Sequence, residues 1–275
     1  MAKLIALLLL AAILGGLVLK ALVSAVEPKL AFFPYKGEDE TPADLGIPYE
    51  TVPLQTSDGE RLVAWQLEPE RPIADVVYFH GNGGNLSVWL PVLATLHRMD
   101  LRVLAVDYRG YGLSSGTPSE AGLYRDAEAV VAHVSRQRGG RHPRPLVFWG
   151  RSLGGPVAAA GARVESPDGL ILESTFADKA AVVRSNPVLR VLNLFARYRF
   201  PTVDLLESFD KPVLVLHARG DSVIPFALGR ELYERLSPPK RFAEIDGGDH
   251  NDLFDVSRQD YWKPILAFIG ALPGR

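Results

Sequence analysis

The stretch Gly150-Arg151-Ser152-Leu153-Gly154-Gly155 constrains this chain more than any other. It follows the apolar run Leu146–Trp149, which reads as a strand, and precedes the small-residue stretch Pro156–Ala162, which reads as a helix. A strand that turns into a helix through one serine, with glycines two before and two after it, is a sharp turn where extra side chains would strike neighbouring backbone. The helix behind such a serine sets free N–H groups and a positive dipole end beside its hydroxyl. Such a turn needs a sheet whose strands feed helices.

The rest of the chain supplies that sheet. Tyr49–Leu54 and Arg61–Leu67 flank the turn signal Ser57-Asp58-Gly59 and predict an antiparallel hairpin. Short apolar runs follow at Val76–Phe79, Val103–Val106, Leu146–Trp149, Leu170–Leu172 and Val213–Leu216, as expected of parallel strands covered on both faces. Helical patterns lie between them at Val88–Arg98, Leu123–Gln137, Gly155–Arg163 and Phe226–Leu236. A last strand, Arg241–Ile245, and a closing helix, Tyr261–Ala271, complete an α/β sheet with helices on both faces. We expect one domain over 49–275, with a small cap near 176–209. Residues 27–48, rich in proline and glycine, read as a connecting segment. No internal repeat or low-complexity tract is present.

The start of the chain departs from this globular pattern. Leu4 to Leu19 contains no charged or strongly polar residue, and after Lys20 the run resumes to Val26. As a helix at ~1.5 Å per residue it reaches ~35 Å, enough for a ~30 Å hydrocarbon core with Lys20 snorkelling to the interface. Residues 1–26 are therefore expected to be a membrane anchor or, alternatively, a signal segment cleaved at Val23-Ser24-Ala25. The basic start Met1-Ala2-Lys3 favours a cytoplasmic N-terminus and an extracytoplasmic domain, against Lys20, Lys29 and Lys36 on the other side of the run. Cleavage would give a secreted protein instead. Net charge is −2, so nothing argues for nucleic acid, and the absence of cysteine excludes a thiolate nucleophile or a Cys-ligated metal.

A serine hydroxyl becomes a nucleophile only beside a base, and the base needs an orienting acid. His250, in Gly247-Gly248-Asp249-His250, follows the last strand, and Asp221, in His217-Ala218-Arg219-Gly220-Asp221, follows the run Val213–Leu216. Asp246, Asp249 and Asp252 rival Asp221, but residues next to the base seldom reach its far ring nitrogen. Among other histidines, His97 and His133 sit in helical patterns, His142 in a charged stretch, and His217 at a strand end. The loop His80-Gly81-Asn82-Gly83-Gly84-Asn85 closes the run Val76–Phe79. We expect the backbone N–H groups of Asn82 and Leu153 to form an oxyanion hole, with His80 shaping the loop. The reading calls for no cofactor and no metal.

These residues resemble the α/β-hydrolase-domain serine hydrolases, particularly the membrane-anchored branch that includes protein depalmitoylases. The resemblance runs over roughly residues 30–270, on His80–Asn85, Asp107-Tyr108-Arg109-Gly110-Tyr111-Gly112 with Ser114, Pro118-Ser119-Glu120, Gly150–Gly155, Asp221 and His250-Asn251-Asp252. It implies the α/β-hydrolase fold and an esterase or thioesterase acting on small-molecule or lipid-borne acyl groups. A peptidase or aminopeptidase is the alternative, and a non-catalytic membrane-tethered binding module a further one. In the cap, Asn186, Arg190, Asn193 and Arg197 recur at helical spacing opposite Val188, Val191, Leu192 and Phe195. That stretch either packs on its own domain or lies on an anionic membrane surface.

Overall fold

A computed structural model describes residues 1–139, 144–184, 187–237, 239–254 and 259–273. Asn186 and His142 lie outside them. The chain opens with α1 (Ala2–Ala31), a two-residue strand β1 (Phe33–Pro34) and a 3-10 turn at Pro42–Leu45. Then come β2 (Tyr49–Gln55), β3 (Arg61–Leu67), β4 (Ala74–Phe79), a short β5 (Gly83–Gly84), α2 (Leu86–Arg98) and β6 (Leu101–Asp107). After α3 (Glu120–Arg138), β7 (Leu146–Arg151), α4 (Gly154–Val164) and β8 (Gly169–Glu173), three short helices among the described residues occupy the segment expected to be the cap: α5 (Lys179–Val183), α6 (Pro187–Leu192) and α7 (Thr202–Leu205). β9 (Val213–Ala218), α8 (Phe226–Arg235), β10 (Lys240–Ile245) and α9 (Gln259–Gly270) close the chain.

Eight strands form one sheet in the order β10-β9-β8-β7-β4-β6-β3-β2. The hairpin β2–β3 and the pair β3–β6 are antiparallel, and every other pair is parallel. Alternate residues of the central strands enter different cores. Val77, Phe79, Val106 and Phe148 face a layer with α3, α4 and α8, whereas Val76, Tyr78, Val103 and Trp149 face α2 and α9. Two buried faces explain why these strands are apolar throughout. From β4 the chain moves to β6 on one side and then to β7 on the other. Between β4 and β7 lies the switch point where open α/β sheets leave a crevice at their strand ends.

The N-terminal helix runs past the expected boundary at Val26 to Ala31, through Pro28. An interior proline has no N–H for the carbonyl four residues back, here Ser24. That carbonyl is met from outside the helix, by Arg197 Nη2 at 2.8 Å. The leucines and isoleucines from Leu4 to Leu17, and Leu22, are exposed, and Leu19 is half-buried. Residues 32–48 do not hang free: Phe32 is buried, β1 pairs with β5, and Ile47 enters the core. The cap departs from its helical pattern too. Helix α6 ends at Leu192, and the next residues turn through Leu194 N–H to Val191 O and Phe195 N–H to Leu192 O. Buried Glu27 accepts the N–H groups of Arg197 (2.7 Å) and Tyr198 (3.1 Å), which draws the chain out of the helix before Arg197.

Candidate active site

Strand β7 delivers the elbow to the switch point. Ser152 has φ 52, in the left-handed region that side-chain-bearing residues pay roughly 1–3 kcal/mol to hold. Its neighbours impose it: Ser152 N–H donates to Glu173 O (2.9 Å), and Thr175 Oγ1 donates to Ser152 O (2.7 Å). A Cβ at Gly150 would overlap the Gly154 carbonyl, and one at Gly154 would overlap the Phe79 carbonyl oxygen. Both obstacles are backbone, so neither can swing aside. Gly154→Ala should therefore cost about 3 kcal/mol or more. Thermal melting checks this, with an expected drop on the order of 10 °C for a chain this size.

The loop after β4 lies against the elbow. A Cβ on Gly81 would sit 3.7 Å from Ser152 Cβ. His80 is fully buried, with Nδ1 2.7 Å from Gly81 O and Nε2 3.6 Å from Asp107, while Tyr108 Oη donates to its carbonyl (2.8 Å). It is built into the loop. Among the described residues, no hydrogen bond is made by the N–H of Asn82 or of Leu153. The Asn82 side chain makes three hydrogen bonds: Nδ2 donates to Ala31 O (2.8 Å), and Oδ1 accepts from Phe33 N–H (3.2 Å) and Tyr111 Oη (2.9 Å).

The loops after β9 and β10 bring the acid and the histidine together. His250 Nδ1 lies 2.8 Å from Asp221 Oδ2, and both residues are buried. Oδ1 of Asp221 accepts from the N–H groups of Val223 (3.0 Å) and Ile224 (2.7 Å). Burial pushes this carboxyl up, but the bonds from His250 and Ile224 outweigh it, so its pKa lies below the ordinary value. A carboxylate at that distance accepts the Nδ1–H of His250, which leaves the lone pair of that ring on Nε2. His217 stands 3.4 Å from the same carboxylate, donates Nε2–H to Ile224 O (2.8 Å), and has its pKa pushed below the ordinary value by burial.

The rival carboxylates are engaged elsewhere. Asp249 Oδ1 accepts from Ser222 N–H (2.7 Å) and His250 N–H (2.6 Å), so it shapes the turn and does not meet the ring. Asp252 Oδ1 accepts from Asp249 N–H (2.6 Å), and Asp246 pairs with Arg219.

Two further supports escaped the sequence reading. Arg151, completely buried, donates Nη1 to Glu173 Oε1 (2.8 Å) and Nη2 to the carbonyl of His250. Trp149 Nε1 donates to the other Glu173 oxygen (2.8 Å), and Trp89 and Phe254 rings flank the guanidinium. The residue before the candidate nucleophile thus grips the backbone of the candidate base. The available signal was the register: Arg151 and Glu173 are direct partners across β7 and β8. The second support is the stretch Glu27–Gly37, which reaches the Asn82 loop.

This strand order, a strained serine at the switch point, and an Asp–His pair after β9 and β10 define an α/β-hydrolase. Residues 70–207 match the family described as serine aminopeptidase, S33. The α/β hydrolase domain-containing protein WAV2 of Arabidopsis thaliana is 34% identical over 284 residues, covering 93% of this chain and 92% of that one. An uncharacterized membrane protein of Saccharomyces cerevisiae is 34% identical over 237 residues, 84% of this chain and 82% of its own. Among solved structures, the esterase Pf2001 of Pyrococcus furiosus matches with a TM-score of 0.70 at 21% identity, covering 88% of this chain and 98% of that one. The chain belongs to the serine aminopeptidase S33 family of α/β-hydrolases and is by class a serine hydrolase.

Proposed function

We propose that the protein hydrolyses carboxylic esters or thioesters through an acyl-enzyme on Ser152. The observation that carries this reading is the Asp221–His250 pair on loops neighbouring the strained Ser152 turn. His250 Nε2 takes the Ser152 proton as Oγ attacks the acyl carbonyl. It returns that proton to the leaving alcohol or thiol, then deprotonates the water that releases the acid. The N–H groups of Asn82 and Leu153 receive the developing oxyanion. The small cap suits an open acyl site, and the Pyrococcus match is described as an esterase. The family description favours a second reading, an aminopeptidase, which would need a carboxylate free to hold a substrate ammonium. Buried Glu173, beside the elbow, is committed to Arg151 and Trp149.

We further propose that α1 is a retained anchor, with its N-terminus cytoplasmic, and that acyl substrates arrive from the lipid phase. Arg197 meets Ser24, near the end of the apolar run at Val26, a contact that supports a cap at the border of the hydrocarbon. Helix α6 has no buried residue, and Val188, Val191 and Leu194 are 67%, 55% and 79% exposed. Exposed apolar groups beside Arg190 fit an interfacial surface better than core cover.

One substrate panel tests both proposals: an acyl ester, an acyl thioester and an aminoacyl peptide, each dispersed in water or presented in anionic vesicles. Full-length protein should cleave the ester and thioester, and faster from vesicles. Val191→Ser with Leu194→Ser should lower only the vesicle rates, on the order of tenfold, since each exposed aliphatic side chain withheld from lipid forfeits about 1 kcal/mol or more. Cleavage of the peptide alone would replace the esterase reading. A mature N-terminus at Val26 would replace the anchor with a signal.

A further inference from the structure

The stretch from Glu27 to Gly37 is bound into the catalytic domain at both ends, and its middle is bound to a single side chain. At the upstream end, Glu27 is buried and accepts from Lys179 Nζ (2.6 Å) and from the N–H groups of Arg197 and Tyr198. Phe32, also buried, packs edge-on against Tyr198 and Phe200, with ring centroids 5.4 and 6.2 Å away. At the downstream end, Tyr35 N–H donates to Gly84 O (3.0 Å) and Gly112 N–H to Tyr35 O (2.8 Å). Asn85 Nδ2 donates to Gly37 O (2.8 Å), and Lys36 Nζ to Ser114 O (2.9 Å).

Between these ends the Asn82 carboxamide reads the backbone on both sides of Phe32, giving its N–H to the carbonyl of Ala31 and taking the N–H of Phe33. One side-chain amide thus stands in for a partner strand, and β1 continues the pairing onto Gly83 and Gly84. Other holds grip the loop on either side of Asn82: Tyr108 Oη donates to His80 O (2.8 Å) and Trp89 Nε1 to Gly83 O (3.0 Å). A Cβ on Gly83 would meet nothing within 4 Å, and Tyr111 supplies the only other polar contact to the carboxamide among the described residues.

We infer that residues 27–37 are a positioning strap that holds the Asn82 loop in its oxyanion-binding conformation, with Glu27 and Phe32 as its positioning residues. The inference rests on the reading of Asn82 as an oxyanion donor. An oxyanion donor works only where it is already aimed, because reorganising it during reaction consumes the energy it supplies. The Asn82 backbone is aimed by its own side chain, whose Ala31 and Phe33 partners are fixed by Phe32 and, one helical turn earlier, by Glu27. The helix that carries the apolar N-terminal run therefore ends directly on the candidate active site.

The test uses the full-length protein in detergent micelles with a dispersed 4-nitrophenyl acyl ester, and rates normalised to serine titrated by a fluorophosphonate probe. Phe32→Ala and Glu27→Ala should lower kcat roughly 10- to 100-fold, the scale at which small misplacements of catalytic groups act, while KM stays within about threefold. Phe32→Leu should restore most of the rate. A strap that merely adds stability would instead lower the melting temperature and leave kcat per titrated serine unchanged, which would overturn the inference. If the alanine variants do not accumulate, Glu27→Gln, which keeps the side chain's shape and removes the carboxylate that takes Lys179 Nζ and the N–H groups of Arg197 and Tyr198, carries the same readout. A several-fold fall in kcat at constant KM supports the strap, and an unchanged kcat overturns it. Failure of the Ser152 reading shows separately, as probe attached to another residue of the unmutated protein.

Discussion

Ser152→Ala is expected to abolish fluorophosphonate labelling and to lower ester turnover by on the order of 10⁴- to 10⁶-fold, because nucleophile and base act as one unit. The protein should remain folded. Alanine keeps the Cβ that the turn already accommodates, and the bonds that hold residue 152, from its N–H to Glu173 and from Thr175 to its carbonyl, are made by backbone atoms. Melting could even rise slightly, since a buried hydroxyl is removed. The measurement is probe labelling followed by peptide mapping, alongside circular dichroism. Label retained on Ser114 or Ser174 would end the assignment. Ser114 is poorly placed, because its hydroxyl donates to Asp107 O at 2.7 Å and accepts from Val63 N–H at 2.9 Å.

Asp221→Asn should lower kcat about 10⁴-fold with the fold intact, because an amide that donates toward Nδ1 selects the wrong histidine tautomer. The position is buried and its other oxygen receives two backbone N–H groups, so the asparagine keeps an acceptor there and presents its NH₂ to the ring. Asp249→Asn and Asp252→Asn should cost less than about tenfold, since each loses turn contacts and leaves the Nδ1 bond untouched. Parallel kcat measurements on the three variants decide the matter. If Asp249→Asn were the crippling change, the acid would be misassigned.

What could be read from the chain, and what could not, divides along the range of the interaction. Each strand of the eight-stranded sheet between Ala74 and Ala218 is an apolar run because both sheet faces are covered, so composition alone announces it. The Gly150–Gly155 turn, the His80 loop, Asp221 and His250 each sit at a strand end, so a linear scan could place them. Arg151 and Glu173 are common residues whose meaning appears only once β7 and β8 are in register. Glu27 and the N–H donors of Arg197 and Tyr198 lie about 170 residues apart, and no local pattern joins them. The same contacts explain the cap. Periodicity from Arg190 to Arg197 suggested one helix, but a buried carboxylate competing for two N–H groups is worth more than another helical turn.

The passage of α1 through Pro28 to Ala31, without a loop, has a geometric consequence for an anchored enzyme. A flexible tether would let the domain wander over many ångströms above a bilayer, so its reach would depend on tether length. A helix that enters the body of the domain and is clasped there by Arg197 and Lys179 gives no such freedom. If α1 is the proposed anchor, the altitude of Ser152 over the hydrocarbon would be a constant of the protein. Acyl donors would then be sorted by the depth at which their carbonyl sits, before the shape of the chain is read at all. An enzyme built this way works as a depth gauge.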